Sequence, residues 1–188
     1  MTHFEYLSLF HPLSEADYNE LSEKLQSAKF SKGSMITACG EIQNKLFFVR
    51  EGVQMSYYES EENTHVIAFT YSPNLCAIPE SFFQQTPSKY WLTCISDSEM
   101  DYITFEDLQA VMDANRHIER LFRKITEAML IGLIQRHIEL HSMSIADRFS
   151  AFSKRSPHLF QLVPHKYIAS YLGINATNFS KLYNSIRI

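Results

Sequence analysis

Residues 165 to 184 constrain the fold of this chain more tightly than any other stretch, because they match two short helices joined by a tight turn. Such a pair needs particular residue types at particular places. Ala169 is small where the second helix must pass closely, and Gly173 falls where the turn asks for a positive φ. Ile168, Leu172, Ile174, Phe179 and Leu182 supply the apolar faces that hold the helices together. Pro164 precedes the first helix, and Asn175 is a good N-cap for the second, which is expected over 176–185. The pattern predicts a helix-turn-helix whose outward face carries Ala176, Thr177, Asn178, Ser180, Lys181 and Asn184, groups suited to base edges and phosphates. An ordinary helical hairpin with a glycine turn would fill the same pattern.

Charge is distributed unevenly. From Ser142 onward six basic residues (Arg148, Lys154, Arg155, Lys166, Lys181, Arg187) face one acid, Asp147, a net of +5 that leaves −9 on residues 1–141 out of a total of −4. A basic end on an acidic body localises attraction to phosphate, although a chance cluster of solvated cations would look the same. The 188 residues and 45% apolar content allow one medium domain or two small ones. No apolar run approaches the roughly 20 residues of a membrane span, and no secretory leader is evident, so a cytoplasmic protein is expected. Cys39, Cys76 and Cys94 are odd in number and widely spaced, which fits buried thiols better than a disulfide framework or an iron-sulfur cluster. The eight histidines form no H-x-H or H-E-x-x-H motif, so no metal and no cofactor is expected.

Ser14 and Asp17 predict a helix start, with Leu13 stapled onto Tyr18, and the helix is expected to run to about Ser27. Short apolar or alternating runs follow at 35–38, 46–50, 53–59, 65–71, 90–95 and 100–104, punctuated by Gly33, Gly40, Gly52 and the polar run Glu59 to Asn63. They predict an antiparallel sandwich or roll. Thr104 with Asp107 marks the next helix start. Residues 115–141 hold no proline, and Ile118, Phe122, Ile125, Met129 and Leu133 recur at helical steps beside a second set of Leu121, Ala128, Ile131, Ile134 and Ile138. A helix apolar over so wide an arc buries more than one side, one against its own roll and one against a partner helix, with Gly132 permitting close approach. A core helix of a monomer is the alternative. Ser144 and Asp147 then open a further helix that ends before Pro157.

Helix, antiparallel roll, long helix and C-terminal helix-turn-helix together resemble the Crp/Fnr superfamily of bacterial transcription regulators over essentially the whole chain. The resemblance is carried by Phe30-x-x-Gly33, by Gly40, by the run Leu46 to Val53, and by Ser98 to Ile103. Ile168 to Ile174, with Ser180 and Lys181, complete it. It implies an α+β fold with a cyclic-nucleotide-binding-like, jelly-roll type β-roll at the N-terminus. It also implies residues 1–114 as sensor, 115–141 as dimerisation helix and 142–188 as reader. The chain stops at Ile188, so little or no hairpin wing is expected.

The departures bear on mechanism. In nucleotide-binding members a glycine-glutamate pair opens a short helix and holds the ribose, and an arginine-serine pair clamps the phosphate. The matching segments here are Ile78-Pro79-Glu80-Ser81-Phe82 and Pro87-Ser88-Lys89-Tyr90. Glu80 keeps the ribose position, but Pro79 removes a backbone N–H and fixes φ. Ser88 stands where the arginine belongs, and Lys89 is one residue off, a shift that turns a strand side chain to the other face. A buried phosphate without its partner costs about 3–5 kcal/mol, roughly two to three and a half orders of magnitude in affinity. Phe82, Phe83, Tyr90 and Trp91 are available to fill the vacated space. On the reading face, Ala176 and Lys181 stand where the family usually has arginine, and lysine lacks the bidentate fork.

These readings converge on a homodimeric, sequence-specific DNA-binding regulator with no catalytic residues. Lys166, Asn175, Ala176, Thr177, Asn178, Ser180, Lys181 and Asn184 are its candidate DNA contacts. Glu80, Ser81, Ser88 and Lys89 are the candidate effector pocket. A pseudo-palindromic DNA operator and a second copy are the expected partners, with RNA polymerase and a small-molecule effector left open. The rival readings are a ligand-binding sensory module with weak or lost specific DNA binding and, more remotely, a metal-binding cupin enzyme.

Overall fold

A computed structural model describes residues 1–61 and 63–185 of the chain; Arg187 and the expected absence of a wing therefore lie outside the described residues. Two short helices, α1 (His3–Ser8) and α2 (Glu15–Ser22), open it, each with a reciprocal capping box, Thr2 with Glu5 and Ser14 with Asp17. Strands β1 (Gln26–Phe30), β2 (Met35–Thr37), β3 (Lys45–Glu51), β4 (Val53–Glu59), β5 (Thr64–Tyr71) and β6 (Leu75–Cys76) follow. Helix α3 (Pro79–Gln84) interrupts them before β7 (Trp91–Cys94) and β8 (Ser98–Thr104). The rest is helical: α4 (Phe105–Ala114), α5 (Arg116–Ser142), α6 (Ile145–Arg155), α7 (Leu159–Leu162), α8 (His165–Leu172) and α9 (Ala176–Ser185).

The strands form two four-stranded sheets, β1-β8-β3-β6 and β2-β7-β4-β5, with every pairing antiparallel. This is the expected roll. Strand β3 shows why its apolar run is continuous. Phe47 and Val49 enter the core between the sheets, while Leu46 and Phe48 face a second core under α1, α2, α4 and the start of α5. Strand β4 divides differently. Val53 and Met55 join a third core with Phe149, Phe152 and Phe179 of the C-terminal helices, so those helices cover the outer face of the second sheet.

The expected helix to about Ser27 is corrected. Helix α2 ends at Ser22, because Gln26 to Phe30 pair with Tyr102 to Ser98 as an edge strand. Cross-strand contacts from Ser27 to Asp101 and from Lys29 to Glu99 secure that pairing, and no local periodicity announces them. Helices α1 and α7 and strand β6 are likewise additions to the sequence expectation. The caps at Ser14, Thr104 and Ser144 form as anticipated, each side chain accepting the N–H three residues on.

Helix α5 is capped by Asn115 and divides into two halves. Ile118, Leu121 and Phe122 are buried in the second core. Leu130, Ile131, Leu133, Ile134 and Ile138 are each more than half exposed within the single chain. Among the described residues no helix is long and apolar enough to cross a membrane.

Candidate nucleic-acid interface

Helices α8 and α9 form the predicted helix-turn-helix. Gly173 closes α8 in the left-handed conformation, φ 63° and ψ 39°, with its N–H donating to Ser170 O at 3.0 Å and the Ile174 N–H to Ala169 O at 3.0 Å. Asn175 Oδ1 accepts the Asn178 N–H at 2.8 Å, the anticipated N-cap. Phe179 is buried, with Phe149 5.5 Å away in an edge-on arrangement, and Ala169 is buried where the two helices meet. Packing therefore fixes which face of α9 looks outward. Asn175, Ala176, Thr177, Ser180, Lys181 and Asn184 are exposed on or beside it, and Asn178 is half-buried.

The basic residues fall into two groups. Arg148 is spent inside the fold, its Nε donating to Leu172 O at 3.0 Å and its Nη1 to Met143 O at 2.8 Å. Arg155 pairs with Glu139 at 3.6 Å. Lys154, Lys166 and Lys181 are exposed, with Lys166 Nζ resting 4.8 Å from the centre of the Tyr167 ring. The charge excess of the C-terminal part thus overstates its outward cations, since two arginines serve structure.

Ser170 is a residue that sequence reasoning missed. Strand β5 is the edge of its sheet, and the Ser170 hydroxyl accepts the Val66 N–H at 3.0 Å and donates to Thr64 O at 2.7 Å. One side chain of α8 satisfies the Val66 N–H and the Thr64 carbonyl of that edge. Its nearest sequence signal is a serine on the buried side of an amphipathic helix. Replacing Ser170 with alanine strands both groups, and denaturant titration is expected to show a loss of about 1–3 kcal/mol. Beside this contact a cleft of about 540 Å³ separates Asn63 of the β4–β5 turn and Thr64 and His65 of β5 from Lys166, Asn175 and Ala176.

The candidate effector residues are arranged otherwise. Pro79 takes the first position of α3, where a missing N–H costs nothing, and Glu80 is half-buried behind it. The buried Ser81 hydroxyl accepts the Gln43 N–H at 2.9 Å and donates to Thr86 O at 2.7 Å. Buried Ser88 donates to Tyr90 O at 2.8 Å and accepts the Tyr90 N–H at 3.0 Å, while Lys89 is exposed. Both hydroxyls are occupied by protein groups, Ser81 between Gln43 and Thr86 and Ser88 within its own turn. The core between the sheets, made of Phe47, Val49, Cys76, Ile78, Leu92, Cys94 and Met100, is dry enough that burial pushes the Cys76 thiol up to about 12. Of the four aromatic side chains offered as filler, Tyr90 packs against this core. Phe82 belongs to the second core, Phe83 is exposed, and Trp91 stacks on Tyr57.

No protein-family model matches the sequence, and no curated protein matches it. Solved structures do. FixK2 from Bradyrhizobium japonicum superposes with a TM-score of 0.73 at 15% identity, covering 86% of this chain and 83% of that one. A transcriptional regulator from Eubacterium rectale, assigned to the Crp/Fnr family, gives 0.71 at 16% identity over 96% and 87% of the two chains. A double mutant of CooA from Carboxydothermus hydrogenoformans gives 0.69 at 16% identity over 98% and 84%. The chain shares the fold of these structures, a β-roll followed by a long helix and a helix-turn-helix.

Proposed function

We propose that the protein is a cytoplasmic, homodimeric transcription regulator that reads a pseudo-palindromic DNA site. The observation that carries this is the outward polar face of α9, set by Phe179 and Gly173 on a well-packed base. Thr177, Asn178 and Lys181 read bases, with Ala176 close enough for apolar contact with thymine methyls. Lys166, Asn175, Ser180 and Asn184 hold the register on phosphates. Residues 1–114 act as the sensor part, 115–141 as the dimerisation helix and 142–188 as the reader. The exposed apolar half of α5 supports pairing of two copies, which would set two α9 helices about 34–36 Å apart in successive major grooves. RNA polymerase is the natural protein partner of such a complex on DNA.

Replacing Lys181 with alanine is expected to weaken operator binding by about 1–3 kcal/mol in a fluorescence anisotropy titration. Unchanged affinity would remove Lys181 from the reading face. The roll does not take cyclic AMP or cyclic GMP in the usual way, a reading supported by the engaged hydroxyls of Ser81 and Ser88 and by the apolar core between the sheets. Calorimetry is expected to show no low-micromolar binding of either nucleotide, and binding in that range that Glu80→Ala abolishes would contradict it.

A further inference from the structure

We propose that His137 and His141 from two copies of the chain bind one divalent transition-metal ion, zinc in the first instance, where the C-terminal ends of the paired α5 helices meet. The site rests on the dimer reading above, because within one chain the described residues bring no three metal ligands together.

The placement follows from helix geometry. At about 100° per residue, Ile134, Ile138 and Ile131 form one flank of the exposed apolar arc and Leu133, Leu140 and Met129 the other. His137 and His141 fall in its middle, beside Leu130. Both imidazoles are exposed, and their centres lie 4.4 Å apart with the rings inclined at 53°. Two histidines four residues apart on one helical face can chelate a single ion, as in helical zinc motifs. A two-fold axis through this arc brings the partner's pair onto the first. Four neutral imidazoles then surround one point on the axis, which suits a tetrahedral ion of the zinc class.

The seam also gives the rings a reason to bind. An imidazole among paired leucines and isoleucines loses water, and its ring nitrogens need a new partner. Neighbouring cations are committed elsewhere. Arg136 lies over the Tyr171 ring at 4.1 Å and beside Glu139, and Arg148 donates to the Leu140 and Met143 carbonyls. Those last bonds tie the end of α5 to α6. An ion that joins the two α5 ends therefore fixes the separation of the two reading heads.

The test uses untagged full-length protein and zinc chloride alone. Equilibrium dialysis with metal analysis is expected to find one zinc per two chains, and sedimentation is expected to show the dimer dissociation constant falling at least about tenfold, reversibly with chelator. Cobalt(II) in its place is expected to give the visible absorption of a tetrahedral complex. The His137→Ala/His141→Ala variant keeps exposed positions and its fold by circular dichroism, remains dimeric through the apolar flanks, and loses the ion and the tightening. A dimer that takes up no zinc, or a double variant that binds it equally, overturns the metal site and leaves the dimer standing. A chain that stays monomeric at high concentration with and without zinc overturns both.

Discussion

Replacing Ile134 with glutamate is expected to leave a folded monomer whose affinity for its operator has fallen at least about a hundredfold. Ile134 is 53% exposed in the single chain, so the substitution leaves the three cores untouched, and thermal unfolding is expected to lose only the stabilisation that association of two copies adds. In the proposed dimer the same position lies on a flank of the paired apolar arc. A carboxylate from each copy would be desolvated among leucines and isoleucines, a cost that a modest helical interface cannot absorb. A monomer presents one recognition helix instead of two and loses the gain of linking half-sites, which is commonly about two to four orders of magnitude. Sedimentation equilibrium and anisotropy on the same samples check both parts. A variant that remains dimeric would move the interface away from this arc.

The second large effect belongs to the roll. Gly52, between β3 and β4, has φ +92°, and a Cβ there would lie 2.5 Å from Asp97 O and 2.8 Å from Ser98 Cα, closer still to the Ser98 hydroxyl. Both obstacles at a stated distance are backbone atoms, Ser98 at the start of β8 and Asp97 just before it, so neither can rotate away as a side chain could. Gly52→Ala therefore adds left-handed strain to a steric overlap, and the two together are expected to cost about 3–5 kcal/mol in denaturant titration. That is a large share of the roughly 5–15 kcal/mol that holds a domain folded. Gly40 is the control. It also has positive φ, +89°, but nothing stands within 4 Å of its added Cβ, so Gly40→Ala is expected to lose only about 1–2 kcal/mol. Equal losses at the two sites would show that conformation alone, without the close approach, sets the penalty at Gly52.

Much of the helix-turn-helix was legible because its signals are local. Gly173, Asn175 and the step from Ile168 to Leu172 lie within one turn or one helix of the groups they organise, as do the caps at Ser14, Thr104 and Ser144. The roll was legible in outline for the same reason, since apolar runs and turn residues mark strands without naming their partners. What the residues could not announce depends on pairing at a distance. Gln26 to Phe30 read as a helix tail until Ser98 to Tyr102 lie beside them. Ser170 is one more polar residue on a short helix until the β5 edge offers it Val66 and Thr64, over a hundred positions away. Arg148 and Arg155 counted as unpaired outward charge in the sequence, but Arg148 clamps the end of α8 and Arg155 pairs with Glu139 of α5 at the surface. Around α3 the departures Pro79 and Ser88 were visible at once, but the bonding of Ser81 to Gln43, 38 positions away, depends on the fold.

Whether the chain reads DNA as a symmetric pair is tested by selecting genomic fragments with the purified protein and sequencing those retained at physiological salt. The expected result is one enriched motif with two-fold symmetry, its half-sites centred about 10 base pairs or one further helical turn apart, bound at least about a thousandfold more tightly than unrelated DNA. Retention of all fragments alike, vanishing as salt rises and unchanged by Lys181→Ala, would contradict it and leave only the attraction of a basic surface for phosphate.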